Sequence, residues 1–257
     1  MMPVDWFPDV PLLVLLLIPV VVTVGYAVFG ATGFGSSLIS VPFLAHWFPL
    51  TYVVPLLTTV DFVAVINASF RQWKHADFSE VRRVIPPMIV GMAAGTFLLF
   101  KLPREPALFV LGVFIAGYGL RVLFGSRPWR AVHPGWAWPI GFAGGVFGML
   151  FGTGGPIYMV YLSARVHDKT VLRATSSMVV TIGVVTRVVV FLVTGLMLHA
   201  SVLIVGAILV PLMFAGYWFG NRLHHALSRQ GVFRLIALML LVNGIFLVTR
   251  ALSPVLP

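Results

Sequence analysis

Phe147-Gly148-Met149-Leu150-Phe151-Gly152-Thr153-Gly154-Gly155-Pro156 interrupts a chain that is otherwise almost continuously apolar. Glycine costs a helix about 1 kcal/mol and an interior proline about 3 kcal/mol, so this stretch predicts a helix break. Inside lipid, non-helical backbone persists only where it is buried in protein or lines a watery cavity. A second stretch of the same kind, Phe29-Gly30-Ala31-Thr32-Gly33-Phe34-Gly35-Ser36-Ser37, lies near the start of the chain. One such break in each half is the sequence mark of a transporter's substrate site.

The 257 residues are 60% hydrophobic and 9% charged, with a mean hydropathy of +1.03. That composition belongs to an all-α polytopic membrane protein. A membrane β-barrel is excluded because the apolar runs are continuous rather than alternating. The net charge of +10 raises nucleic acid as a partner. The 17 Lys and Arg fall mostly in short loops between apolar runs, which is the pattern of cytoplasmic loops and not of a nucleic-acid surface. The absence of cysteine excludes disulfides and thiol chemistry. Residues 10–24 look like a signal-peptide core, but residues 1–8 carry no positive region, so a retained first span is expected.

The apolar segments fall in a repeated order. Residues 10–28 lead into the first break, 38–48 form a short segment with Pro42, and 52–70 form a full span. Residues 84–100 follow with Gly91 and Gly95, a small-xxx-small pair suited to close helix contact. Residues 107–124 end the first half. In the second half, 136–150 lead into the second break, 157–164 are short, and 174–198, 202–219 and 233–249 are full spans. Gly216 and Gly220 repeat the spacing of Gly91 and Gly95. The expected architecture is one integral domain over 1–257, with repeats at about 10–125 and about 136–252. It counts six full spans and four shorter or broken segments, five segments to each repeat.

Loop charge sets the orientation. The loops at 71–83, 121–133, 165–173 and 221–229 are basic and are expected in the cytoplasm. Both termini then lie in the periplasm, and five segments per half make the second repeat inverted relative to the first. Each break is either two thin crossings or a re-entrant hairpin; both keep the basic loops inside.

Gly30-x-x-Gly33-x-Gly35-Ser36-Ser37-x-x-x-x-Pro42 and Gly148-x-x-x-Gly152-Thr153-Gly154-Gly155-Pro156 resemble the paired glycine signatures of the TauE/SafE family. Ser36 and Ser37 stand where glycines are expected in that pattern. The resemblance covers essentially the whole chain. It implies a bacterial inner-membrane permease for sulfite and related sulfur-containing or carboxylate anions.

Few side chains can serve such an anion. Backbone N–H groups at Gly33, Gly35, Gly152, Gly154 and Gly155, together with the helix N-termini that follow, can face negative charge. Ser36, Ser37 and Thr153 add hydroxyl donors. Arg187 lies well inside the 174–198 span, where a cation costs roughly 2.5–3.5 kcal/mol to insert. It is either an oxyanion ligand or the structural partner of Asp61. Ser176, Gly183 and Thr194 fall at helical spacing from it and could border a cavity. Asp61, with Thr58 one turn away, is the only acid expected deep in a span and is the candidate for carrying a coupling proton. Asn67 and Asn243 read as interhelical hydrogen-bond glue. Neither a metal site nor a nucleotide motif is present, and no cofactor is expected.

The function expected is secondary transport, in the export direction, of small anions such as sulfite or organosulfonates, with proton coupling through Asp61. The alternatives are a passive anion channel, or transport of a small carboxylate or other sulfur oxyanion. An intramembrane enzyme is disfavoured because no paired catalytic groups are present. The partners are the anion and the bilayer, and a homo-oligomer is compatible with the sequence.

Overall fold

The computed structural model describes residues 12–32, 35–69, 73–124, 132–226 and 229–252. Within them lie ten α-helices: α1 (Leu12–Thr32), α2 (Ser36–Leu44), α3 (Leu50–Ser69), α4 (Phe78–Lys101), α5 (Arg104–Leu123), α6 (Ala137–Phe151), α7 (Gly154–Arg165), α8 (Lys169–Val193), α9 (Ala200–Ala226) and α10 (Arg229–Leu252). Four of them, α4, α5, α8 and most of α9, are long and apolar enough to cross a bilayer. They keep large apolar side chains on their outer faces; Phe97 is 65% and Val193 83% exposed. In water that surface would drive aggregation, whereas against lipid tails it is the matching surface.

Helix starts and ends follow local chemistry. The Asp77 carboxylate accepts from the backbone N–H of Ser79 at 2.9 Å and Glu80 at 3.3 Å, capping α4. Asp168 does the same for α8 with Thr170 and Val171. The loop expected over 71–83 is therefore shorter, because this cap starts α4 at Phe78. The breaks are also narrower than expected. α2 begins at Ser36, and α7 begins at Gly154, so Gly154, Gly155 and Pro156 form a first helical turn. Proline is tolerated there because its missing N–H would have had no intrahelical partner. Pro19 likewise does not end α1, which continues to Thr32.

At each break the chain folds back. Gly25 of α1 packs against Ser36 and Ser40 of α2, and Gly144 of α6 packs against Tyr158 of α7. Each break is thus the tip of a helical hairpin, an arrangement that both of the expected forms share. The hairpins are gripped by long helices through glycine. A Cβ at Gly91 of α4 would collide with the Phe142 carbonyl of α6, and one at Gly95 would sit 2.9 Å from the Val146 carbonyl oxygen. Gly216 and Gly220 of α9 lie the same way against the carbonyls of Thr23 and Ala27 on α1. The expected small-xxx-small pairs therefore both bring backbones together. The remaining large interfaces are α5 on α10 and α3 on α8.

Two clusters of contacts mark opposite ends of the bundle. At one end Arg104 donates to the carbonyls of Ala45 (2.7 Å) and His46 (2.8 Å), and Arg250 to His46 (2.9 Å). At the other end Glu80, only 3% exposed, accepts from Arg83 (2.6 Å), Arg165 (2.9 Å) and the Tyr161 hydroxyl (2.6 Å). This second cluster ties the start of α4 to the end of α7 and to the Val132 carbonyl.

Candidate anion site

The tips of the two hairpins meet. Gly35 (φ +103°) and Gly152 (φ +69°) turn the chain there in the left-handed region that side chains rarely adopt. Ser37, in the first turn of α2, lies so close to Gly152 that a Cβ on Gly152 would stand 2.6 Å from the Ser37 hydroxyl oxygen. The same Cβ would stand 2.9 Å from the Arg187 Nη1.

Between the tips lies an ion pair. Arg187 of α8 donates through Nη2 to Asp61 Oδ2 of α3 at 3.4 Å, and the two residues are 5% and 4% exposed. Three hydroxyls complete the carboxylate's shell: Tyr26 at 2.8 Å and Ser36 at 3.0 Å donate to Oδ1, and Ser37 at 3.4 Å donates to Oδ2. A buried pair survives only when its charges are also hydrogen-bonded, and this one is. The structural partner expected for Arg187 is therefore present, at the place expected for the anion.

Arg187 borders two small cavities of about 30 Å³ each and Asp61 the first of them; the two share Gly152, Gly155, Val180, Val184 and Arg187 in their walls. Each has room for water-sized occupants. Gly35, Ser36, Ser37, Asp61 and Thr153 line the first; Gly148, Gly154, Tyr158 and Gly183 line the second. Thr153 is 1% exposed, and its hydroxyl has no hydrogen-bond partner among the described residues. Neither α2 nor α7 has a side-chain cap; in α2 the Leu38 N–H is taken by the Gly35 carbonyl at 3.1 Å, and in α7 Pro156 brings no N–H.

The structure thus gathers Gly35, Ser36, Ser37, Asp61, Gly152, Thr153, Gly155 and Arg187 around one space. Gly33 lies outside the described residues. Gly154 has a second job: its α-carbon packs where a Cβ would stand 2.6 Å from the Gly144 carbonyl oxygen, closing the α6–α7 hairpin. Of the stripe expected on α8, Gly183 borders a cavity, Ser176 bonds the Met159 sulfur, and Thr194 is exposed at the helix end. The Thr58 hydroxyl is taken by the Val54 carbonyl. Asn243 bonds Met239 of its own helix rather than a neighbour, and the side chain of Asn67 lies outside the described residues.

Tyr26 is the site residue that sequence reasoning missed. Its signal was available: it is a phenol in the middle of an aliphatic span, and burying it requires a partner for the hydroxyl. His46 lies in the turn after α2, where burial holds its imidazole below the usual range; its carbonyl, not its ring, takes Arg104 and Arg250.

The chain is similar to known membrane transport proteins. The family model described as "Sulfite exporter TauE/SafE" matches residues 17–247. A protein of Comamonas testosteroni, named "Probable inner membrane transporter protein TsaS", is 29% identical over 194 residues. Those residues cover 75% of this chain and 81% of that relative. No solved structure matches.

Proposed function

The chain belongs to the sulfite exporter TauE/SafE family, and from that premise we propose that it is a secondary carrier exporting small sulfur oxyanions across the bacterial inner membrane. The observation that carries this reading is the Asp61–Arg187 pair, buried where the two glycine hairpins meet. Arg187, Ser37, Thr153 and the N–H groups opening α2 and α7 hold the anion, while Asp61 carries a coupling proton. Such a centre puts fixed donors around an oxyanion without adding buried charge.

The two halves work as inverted repeats. The packing supports this: exchanging each helix for the one five places away turns α4 on α6 into α9 on α1, and α1 on α2 into α6 on α7. The face carrying Glu80, Arg83 and Arg165 is cytoplasmic, which leaves both termini in the periplasm. Cysteines introduced at Lys74 and His167 are then expected to resist an impermeant reagent added outside intact cells, and labelling of either would reverse the orientation.

The function is tested in proteoliposomes with labelled sulfite, methanesulfonate, acetate and sulfate, with and without a pH gradient. Saturable uptake with counterflow is the expected result, accelerated by a proton gradient. An ohmic current without counterflow would make the chain a channel. Acetate transported in preference to sulfite would move its substrate to the small carboxylates.

A further inference from the structure

We infer that Asp61 occupies the seat of the transported anion, so that the carrier admits a singly charged oxyanion only together with one proton. This rests on the reading of the Arg187 centre as the anion site. Four side chains at that centre turn donors on Asp61: Tyr26 and Ser36 on one oxygen, Ser37 and Arg187 on the other. Hydroxyls and a guanidinium converging on two oxygens are what a carboxylate or sulfonate ligand needs. Here those two oxygens belong to the protein itself, to Asp61. One donor is left over. Thr153 lines the same cavity and its buried hydroxyl has no partner among the described residues, so the centre holds more donors than Asp61 uses.

Charge then dictates what can enter. The ionisable groups facing Asp61 are Tyr26 from α1 and Arg187 from α8, and Tyr158 from α7 lies against Arg187. α2 brings Ser36, Ser37 and Leu38, α6 Gly148, and α4 Met92 to the cavities, none of them ionisable. Among the described residues, none that is ionisable reaches either cavity from α9 or from the 3-10 turn at Leu196–Leu198, which also pack on α3. With Asp61 ionised the centre is neutral, and an anion added to it would bring an uncompensated buried charge. If Asp61 takes a proton from water as the anion enters, Arg187 is released to the anion and the centre is neutral again. The protonated carboxyl is then a donor as well. A divalent anion leaves one negative charge uncompensated even so. The seat therefore selects a monovalent head such as a sulfonate, hydrogen sulfite or a carboxylate, and rejects sulfate.

The test uses the purified full chain in detergent with methanesulfonate, whose charge is constant across the range, and with sulfate. Between about pH 5.5 and about pH 8.5 the apparent Kd of the wild type for methanesulfonate is expected to rise about tenfold per pH unit once Asp61 is ionised, because only the protonated fraction is competent. Asp61→Asn is expected to bind methanesulfonate independently of pH, and at about pH 8.5 at least about tenfold more tightly than the wild type. Proton uptake by the wild type in weak buffer, about one per methanesulfonate bound, tests the same point without any variant, should Asp61→Asn fail to fold. A pH-independent wild-type affinity, no proton uptake, or sulfate bound as tightly as methanesulfonate would overturn the inference. Arg187→Gln separates it from its premise. Loss of methanesulfonate binding in that variant keeps the anion site whatever Asp61 does. Unchanged binding removes the site, and this inference falls with it.

Discussion

Gly152→Val is expected to abolish anion transport and to lower the thermal stability of the detergent-purified protein. Two independent effects combine at this residue. Its backbone stands at φ +69°, a conformation that costs a β-branched residue roughly 1–3 kcal/mol. Its missing Cβ would lie 2.6 Å from the Ser37 hydroxyl and 2.9 Å from the Arg187 guanidinium, closer than real Cβ atoms approach. Neither neighbour can retreat freely, because both are bonded to the Asp61 carboxylate. Valine would therefore push apart the elements that form the site. Gly195 supplies the control. It too has a positive φ, +79°, but nothing lies within 4 Å of where its Cβ would go. Gly195→Ala should pay the backbone strain alone, about 1–2 kcal/mol, and keep wild-type transport. The comparison is read as proteoliposome uptake of sulfite beside the unfolding midpoint of each variant. If Gly152→Val transports as well as Gly195→Ala, the meeting of the hairpin tips has no part in transport.

The two breaks were legible because glycine and proline act locally: their cost to a helix needs no knowledge of the fold. The crossing glycines were legible for a related reason, since a spacing of four puts two small residues on one helix face. What the sequence did not disclose is how the broken pieces are arranged. Asp61 and Arg187 are 126 residues apart in the chain, more than the length of one repeat, and the packing of α3 on α8 brings them together. Pro156 reads as a breaker but sits in the first turn of α7, where it breaks nothing. Gly154 reads as a ligand-facing glycine, and its close neighbour is the α6 backbone. Glu80 reads as one charge in a solvated loop. The Asp77 cap draws it into α4, where Arg83, Arg165 and Tyr161 surround it. In each of these cases residue type was informative about cost, and the partner was set by contacts distant in sequence.

Arg187 can be tested so that its structural and functional roles come apart. Lysine in its place keeps the positive charge but gives up the fork, which here directs one nitrogen to Asp61 and the other towards Gly152. A hydrogen bond to a charged group is worth about 1.5–3 kcal/mol, so Arg187→Lys should weaken sulfite and methanesulfonate binding by about tenfold to about a hundredfold. Arg187→Leu removes the charge altogether. It leaves the Asp61 carboxylate buried with only hydroxyl donors, and breaking a buried pair in this way costs about 3–5 kcal/mol. The informative variant is the double one. Arg187→Leu with Asp61→Asn has no uncompensated charge, so most of the lost stability should return, and the two substitutions should be strongly non-additive. Anion binding should not return with it, because nothing positive remains between the hairpin tips. Ligand-induced thermal stabilisation by sulfite and methanesulfonate in detergent measures both quantities in one experiment. A double variant that is as stable as the wild type and is still stabilised by these anions would mean that Arg187 serves the fold alone.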